Sequence, residues 1–317
     1  MKKVLLSSMG LGIALMSAPV PGIKDVIILI ALNYFKLDNP NISPYFCCGL
    51  GFLVFIISLI AYLKYKESIR IVNIVGFGNN EYWEQNNTNV ETIDVRSWFN
   101  KKDKDKYLKQ ILKEVDGIIN KYTSSGLSYT SIAPIPLVAI IGKHFSKIRI
   151  REYYEYFNKN SNVKELNDSP LFPRLKLNIL NEESNCEYAL ISVSTTAMIQ
   201  EHQLSQFKGC LHYNFSISKT HQNSICSKKQ LFNYSNKIIE SINKISSIKT
   251  IKRIYLVFAT QSPLPFEVGK QLNDRISKEI VVCHYQNNSN IPYEWGIALN
   301  GNNKEKYISL KEEKRCQ

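Results

Sequence analysis

Apolar residues run along the chain in two regimes that change near residue 70. In the first they come in unbroken blocks. Phe46 to Leu63 is 18 residues without a formal charge, and at about 1.5 Å per residue such a helix reaches roughly 27 Å, close to the hydrocarbon thickness of a bilayer. Tyr62, Lys64, Tyr65 and Lys66 supply the aromatic and basic residues expected at a membrane interface. The pattern predicts a transmembrane helix here. A second block, Val4 to Val20, is followed by Pro21-Gly22-Ile23-Lys24-Asp25 and a short run from Val26 to Phe35. That run covers about 15 Å as helix and is too short to cross alone. One longer span kinked near Pro19 and Pro21 would sink Lys24 and Asp25 into the bilayer, at roughly 2.5–3.5 kcal/mol each near its centre. A span over 4–20 followed by an interfacial half-helix is therefore preferred. A cleaved signal peptide competes with it, because Lys2-Lys3, an apolar core and Ser17-Ala18 resemble one. On either reading Lys64, Lys66 and Arg70 flank the long span, while the connector 36–43 holds one Lys and one Asp. Positive-inside bias then keeps everything after residue 64 in the cytoplasm.

Beyond residue 70 the blocks shorten and alternate in type. Val90–Val95, Ile148–Phe157, Tyr188–Val193, Cys210–Ile217, Arg253–Ala259 and Glu279–Tyr285 read as strands. Leu108, Ile111, Leu112, Val115, Ile118 and Ile119 share one helical face, and so do Leu231, Tyr234, Ile238, Ile242 and Ile245. Strands alternating with helices predict βα units on a largely parallel sheet, an α/β fold. The Asn- and Ser-rich pieces at 158–169 and 286–290 read as loops. The predicted organisation is an N-terminal transmembrane region over 1–67 and a cytosolic domain over 68–317, with halves at about 68–180 and 181–317.

Composition sharpens this outline. Forty Lys and Arg against 27 Asp and Glu leave a net charge of +13 and a pI near 9.2. Residues 71–317 keep a surplus of nine, which favours anionic partners such as phosphates, nucleic acid or anionic lipid. With 44% hydrophobic residues the chain is not disordered. Seven cysteines without a C-x-x-C pair read as reduced cytosolic thiols.

An internal echo runs through the second regime. Ala133-Pro134-Ile135-Pro136, then Gly142-Lys143, leads into the strand at 148–157; about 129 residues later Ser262-Pro263-Leu264-Pro265, then Gly269-Lys270, leads into the strand at 279–285. Proline fits a first helical turn, where its missing N–H costs nothing, and a glycine farther on allows close approach to a strand or ligand. Tyr153, Tyr154 and Tyr156 sit on one of the following strands and Tyr285 on the other. The echo points to an approximate duplication.

The run Tyr129 to Leu137 with Gly142, the Tyr-rich strand at 153–156, the segment Ile191-Ser192-Val193-Ser194-Thr195-Thr196 and the closing block Tyr255 to Leu299 together resemble a SAVED domain, the cyclic-oligonucleotide sensor of bacterial CBASS antiphage systems. The resemblance covers roughly residues 70–310 and implies two fused CARF-like, Rossmann-related halves. With two hydrophobic segments in front, the chain looks like the transmembrane-SAVED effectors of that system. The resemblance implies a second messenger, a cyclic di- or trinucleotide made by a CD-NTase-type nucleotidyltransferase, bound where the halves meet. It further implies ligand-induced homo-oligomerisation and disruption of the lipid bilayer, here the bacterial inner membrane, to cause abortive infection, with no enzymatic site and no cofactor. Doubly wound halves bind ligands beyond the carboxyl ends of their strands, where helix N-termini offer N–H groups to phosphate. Ser194, Thr195 and Thr196, between a strand and the helical pattern from Met198 to Phe207, are candidates for such a site, with plain N-capping as the alternative; Gln261 and Ser262 hold the corresponding position in the second copy. Pro134 opens the paired block, and Lys143 and Lys270 are candidates to add charge near the phosphates. Tyr156, Tyr285 and Trp295 are candidate base-stacking platforms, with core packing as the alternative for each. In the membrane region, Lys24 and Asp25 are candidate actors, and Gly10, Gly12, Gly49 and Gly51 are small enough for close helix approach.

Other chemistry is weakly represented. Gly142-Lys143 is followed by His144 and lacks the earlier glycine of a P-loop. His202, Cys210, His212, His221 and Cys226 match no structural zinc spacing, so no metal is expected. Gly76-Phe77-Gly78 is too short for a dinucleotide site. Two alternatives remain beside the receptor reading. One is a membrane-tethered ring nuclease that degrades the cyclic oligonucleotide; the other is a membrane-anchored nucleic-acid-binding protein, motivated by the positive charge.

Overall fold

The structure is a computed structural model describing residues 2–16, 44–67, 70–77, 89–122, 126–157, 162–181, 186–273, 275–287 and 289–311. The segment 17–43, with Pro19, Pro21, Lys24, Asp25 and the predicted half-helix at 26–35, lies outside the described residues. The chain divides into two compact units, Met1–Ile69 and Arg70–Gln317.

The first unit contains α1 (Lys2–Met16) and α2 (Pro44–Glu67). The two helices cross closely at a glycine. A Cβ on Gly12 would lie 2.8 Å from the Gly51 carbonyl oxygen and from the Phe55 nitrogen, whereas Gly10 and Gly49 meet nothing within 4 Å. The Ser8 hydroxyl donates back to the Val4 carbonyl at 2.9 Å, which satisfies it within its own helix. Val4, Leu11, Phe52, Leu53 and Ile57 each leave more than half their surface exposed. Among the described residues, however, no helix is long and apolar enough to cross a membrane, so the two predicted transmembrane spans find no support there. The side chains of α2 are described only over 49–64, fewer than the roughly 18 residues a span requires.

The second unit is a duplicated α/β domain. Its first half comprises β1 (Ile71–Val75), β2 (Val90–Asp94), α3 (Lys104–Tyr122), β3 (Leu127–Ile132), α4 (Ile135–His144), β4 (Ile150–Phe157) and β5 (Asn162–Glu165). Its second comprises β6 (Lys176–Leu180), β7 (Tyr188–Ser194), β8 (Leu211–Ser216), α5 (Lys228–Ser246), β9 (Arg253–Ala259), α6 (Pro263–Gln271), β10 (Glu279–His284), β11 (Trp295–Ala298) and β12 (Lys306–Ser309). The five-stranded sheet runs β2-β1-β3-β4-β5 and the seven-stranded sheet β12-β11-β10-β9-β7-β8-β6. Within them the parallel sets β2-β1-β3-β4 and β8-β7-β9-β10 have the same order and the same connections. The structure places β6 in the second sheet, antiparallel to β8, so the halves part before Lys176 rather than at residue 180. The predicted loop at 158–169 contains β5, an edge strand antiparallel to β4.

Periodicity explains the two long helices. Leu108, Val115, Leu231, Tyr234, Ile238, Ile242 and Ile245 are fully buried on the apolar faces of α3 and α5, each 19 residues long. The Ser227 hydroxyl caps α5 by accepting from the Gln230 amide at 3.1 Å. β1 and β3 escape sequence patterning because they are covered on both faces; their burial is nearly continuous and no alternation is left to read.

The two halves lock through α4 and α6, the helices of the internal echo. A Cβ on Gly142 would fall 2.2 Å from the Phe266 carbonyl oxygen, and one on Gly269 would fall 2.0 Å from that of Ala139. Each glycine thus admits the backbone of the opposite helix, and the contact is reciprocal. The close approach anticipated for these glycines is to the other copy of the same helix. Replacing Gly142 or Gly269 with Ala is expected to cost about 2–3 kcal/mol, because neither backbone can retreat. Gly117→Ala on α3, where a Cβ meets nothing within 4 Å, is expected to stabilise by about 0.5–1 kcal/mol. Denaturant titration of the full chain in detergent checks both signs.

Candidate ligand-binding cleft

The carboxyl ends of β3 and β4 face those of β7 and β9 across a cleft of about 320 Å³. Phe77, Ser131, Ile132, Ala133, Ile135, Val138, Glu155 and Tyr156 come from the first half; Thr196, Gln222, Asn223, Thr260, Gln261 and Ser262 come from the second. The α4–α6 crossing forms the hinge-like base from which both helices point their first turns at this opening. Strand ends at a switch in strand order generate this kind of crevice in doubly wound sheets.

Hydrogen bonds knit the two walls. The Ser262 hydroxyl donates to the Ser131 carbonyl at 3.0 Å, and the Tyr129 hydroxyl donates to the Ser262 carbonyl at 3.3 Å. Behind them the Tyr153 hydroxyl bonds the buried Glu267 carboxylate, which also accepts from Gln271 Nε2 at 2.9 Å. Burial pushes the Tyr129 and Tyr153 hydroxyls well above their usual range, so both stay protonated donors. Tyr129 stacks on Phe266 with ring centres 3.9 Å apart.

The candidate residues divide sharply. Thr196, Gln261, Ser262 and Tyr156 line the cleft, and Ala133 and Ile135 bracket Pro134 at its edge. Ser194 is buried, and its hydroxyl accepts from the Ile199 amide at 3.1 Å. The Thr195 and Thr196 amides both donate to the Ala259 carbonyl at 3.0 Å, and the Thr195 hydroxyl meets that of Thr260 at 2.7 Å. Those two N–H groups are consumed in holding β7 beside β9. The helical pattern from Met198 is realised only as a short 3-10 helix over Glu201–Phe207, capped by Gln200, so no α-helix begins at Thr196 to offer a phosphate its N-terminus. Gln261 points inward at the neighbouring turn: its Oε1 accepts from the Ile225 amide at 2.5 Å and its Nε2 donates to the Ile225 carbonyl at 3.1 Å.

The two lysines and the tryptophan lie elsewhere. Lys143 is buried in the last turn of α4 and donates to the Leu299 carbonyl at 2.7 Å. Lys270 occupies the last turn of α6. Neither lysine lines the cleft: Lys143 stands about 7.5 Å of helix rise beyond Val138 with its ammonium held by Leu299, and Lys270 about 12 Å beyond Ser262. Trp295 packs in an aromatic cluster, 5.5 Å from Trp98, 5.8 Å from Tyr307 and 4.7 Å from His284, so it serves the core. Burial in that cluster drives His284 down to about 4, keeping it neutral. Tyr285 lies outside the cleft and accepts from Gln203 Nε2 at 2.9 Å. Among the described residues no group of three His, Cys, Asp or Glu side chains is placed to hold a metal.

Among the described residues no Lys or Arg lines the cleft. The excess positive charge of the chain is therefore not concentrated on its walls. Nor do the two helix starts make strong anion sites: Pro136 in one, and Pro263 and Pro265 in the other, remove N–H donors from the first turns. The expectation that these helix ends cradle phosphate is thereby weakened by the same prolines that start the helices. Glu155, the one ionisable carboxyl among the described residues lining the cleft, is 8% exposed, and desolvation raises it to about 8 against a hydrogen bond from the Tyr156 backbone that pulls the other way. Glu155, Ser131, Phe77 and Asn223 were not singled out by sequence. Glu155 is hidden among the tyrosines of β4, and Asn223 belongs to a turn (φ 55°) that carries no motif.

Two duplicated lobes closing on one shared cleft define a two-lobed, doubly wound α/β domain. Residues 108–299 match the family model of the SMODS-associated and fused to various effectors sensor domain, SAVED. That is more than half of the chain, and the chain belongs to this family. Among solved structures, the fold resembles the Acinetobacter baumannii Cap4 SAVED/CARF-domain containing receptor with the cyclic trinucleotide 3'3'3'-cAAA (TM-score 0.50, 10% identity, 91% of this chain, 66% of that one). The same receptor with 2'3'3'-cAAA gives TM-score 0.50 at 11% identity, covering 91% of this chain and 65% of that one. The chain thus spans just under two thirds of the length of those receptors. No curated protein matches it.

Glu155 also sets a pH signature. Its carboxyl titrates near 4.5 when unfolded and about 8 when folded, so the folded state prefers the protonated form. The associated stability is complete below about 4.5 and is lost as pH rises through 8. In thermal melts of the full chain, Glu155→Gln is expected to gain on the wild type steadily from pH 5 to pH 8.5. A gap independent of pH would contradict the assignment.

Proposed function

We propose that the chain is a receptor for a cyclic oligonucleotide of CBASS antiphage defence, and that occupancy of its cleft drives a membrane-active effector without an enzymatic site. The observation that carries the reading is the shared cleft: paired lobes, locked by a reciprocal helix contact, meet at the ends of their strands. The cyclic trinucleotides named for the Cap4 receptors suit a crevice of this kind. The ring bridges the lobes, and the ligand-bound form associates with further copies. A ligand acts this way only through its differential affinity for the two forms.

The membrane half of the proposal rests on the first unit. Its helices expose large apolar side chains such as Val4, Leu11, Phe52 and Ile57, the Ser8 hydroxyl on α1 is bonded within its own helix, and its helices meet at glycine. Those features suit helix packing in lipid, where small residues bring backbones together. The inner membrane, with the second unit in the cytoplasm, is the proposed location, and a CD-NTase-type enzyme is the proposed source of the messenger.

The test is dye release from liposomes carrying the full chain, across a panel of cyclic di- and trinucleotides. At least one cyclic trinucleotide is expected to trigger release, with larger assemblies visible by sedimentation in detergent. Release is expected to be lost in Gly12→Leu while ligand binding persists. Confirmed insertion with no leakage for any member contradicts the effector reading; linear product from the ring would replace it with the ring-nuclease alternative.

A further inference from the structure

The wall of the cleft holds an acid that the receptor reading does not use. Glu155 sits at the carboxyl end of β4 with 8% of its surface exposed, and its Oε2 has no hydrogen-bond partner. A buried carboxyl oxygen left unpaired is costly, and native structures keep few such atoms without a reason. The Ser131 hydroxyl, also in the cleft wall, lies beside the Tyr129 hydroxyl. Among the described residues no Lys or Arg lines the cleft to pair with a carboxylate. An unpaired carboxyl oxygen in the wall of a cleft describes half of a hydrogen-bonding site.

The identity of the missing half follows from what the acid can accept. A phosphate is poorly served here: among the described residues no Lys or Arg lines the cleft, and the prolines at both helix starts remove N–H donors that would hold it. Phosphates therefore face the open mouth, and an uncharged part of the ligand faces Glu155. We propose that Glu155 reads a nucleobase, pairing in its acid form with adenine or cytosine by two hydrogen bonds. The carboxyl O–H donates to the ring nitrogen and the carboxyl C=O accepts from the amino group; guanine pairs with either form, through O6 and N1–H with the acid and through N1–H and its amino group with the carboxylate, so only adenine and cytosine lose a bond when the acid ionises. Tyr156 and Phe77 also line the cleft and offer it aromatic faces for stacking. Burial supports the acid form at neutral pH, with the carboxyl held up at about 8.

The surroundings are compatible with one titrating group. The Tyr129 hydroxyl on β3 lies close enough to feel the charge of Glu155 and is itself held protonated. Lys164 is the register partner of Glu155 on β5, with its side chain exposed. The walls from the second half contribute Thr196, Gln222, Asn223, Thr260, Gln261 and Ser262, none of which titrates in this range.

This inference rests on the receptor reading and names the specificity of its site. The experiment is equilibrium binding of cyclic triadenylate, tricytidylate and triguanylate to the full chain in detergent, at pH 7 and pH 9. Wild-type affinity for the adenine and cytosine rings is expected to fall about tenfold from pH 7 to pH 9 as a group with pKa about 8 ionises, while that for the guanine ring changes by less than about threefold. Glu155→Gln, whose amide presents the same donor and acceptor as the acid form, is expected to keep the pH 7 affinity within about threefold and to abolish the pH dependence. Glu155→Leu is expected to lose at least about tenfold, with Glu155→Gln serving as the folded reference. The same pH dependence for all three rings, or equal loss in Glu155→Gln and Glu155→Leu, overturns the assignment to Glu155 while leaving the receptor intact. Failure of the wild type to bind any of the rings, or any other cyclic oligonucleotide, overturns both.

Discussion

Everything in the second unit depends on a contact where side chains are absent. Gly142 and Gly269 let α4 and α6 approach until each backbone touches the other. A close reciprocal crossing fixes the relative position of the two sheets, because each helix is the direct continuation of a cleft strand: β3 runs into α4 and β9 into α6. The cleft is therefore a consequence of the crossing. Moving either helix by the width of a methyl group would shift one wall against the other and break the Ser262–Ser131 and Tyr129–Ser262 bonds that span them. Close packing makes such an interface resist gradual deformation and favours discrete arrangements. That is a useful property for a domain whose occupancy has to be felt elsewhere.

The chemistry of the cleft is less ionic than the composition of the chain suggests. A net charge of +13 invites the picture of a basic groove for a polyanion. The walls instead carry hydroxyls, amides, two aromatic rings and one buried acid. The doubled prolines that start both helices also subtract N–H donors from their first turns. A site so built discriminates by shape and by neutral hydrogen bonds, where leaving a buried polar group unpaired is the main penalty for the wrong ligand.

Much of this architecture was legible in the chain. Runs rich in β-branched and aromatic residues marked β2, β4, β7, β8, β9 and β10 closely, and 3.6-residue periodicity marked α3 and α5. The Pro–Gly echo exposed the duplication because both glycines answer one steric demand. β1 and β3 were not legible, since a strand buried on both faces loses the alternation that announces it. Lys143 and Lys270 sit in the last turns of helices whose first turns face the cleft, and Lys143 spends its charge on the Leu299 carbonyl, a placement their spacing from the prolines alone does not reveal. Thr195 and Thr196 looked like phosphate ligands because they follow a strand, but pairing of β7 with β9 takes their amides. Trp295 was drawn away by its neighbours Trp98, Tyr307 and His284. Glu155 needed the three-dimensional cleft to be noticed at all, because only the covering of the end of β4 turns an ordinary strand glutamate into a neutral acid.

The most direct test of the account is the experimental structure of the full chain with a cyclic trinucleotide bound. The account predicts density for the ring between the ends of β3–β4 and β7–β9, with a base against Glu155 and the phosphates toward solvent. A ring seated on another face of the domain, or held by one lobe alone, would contradict it.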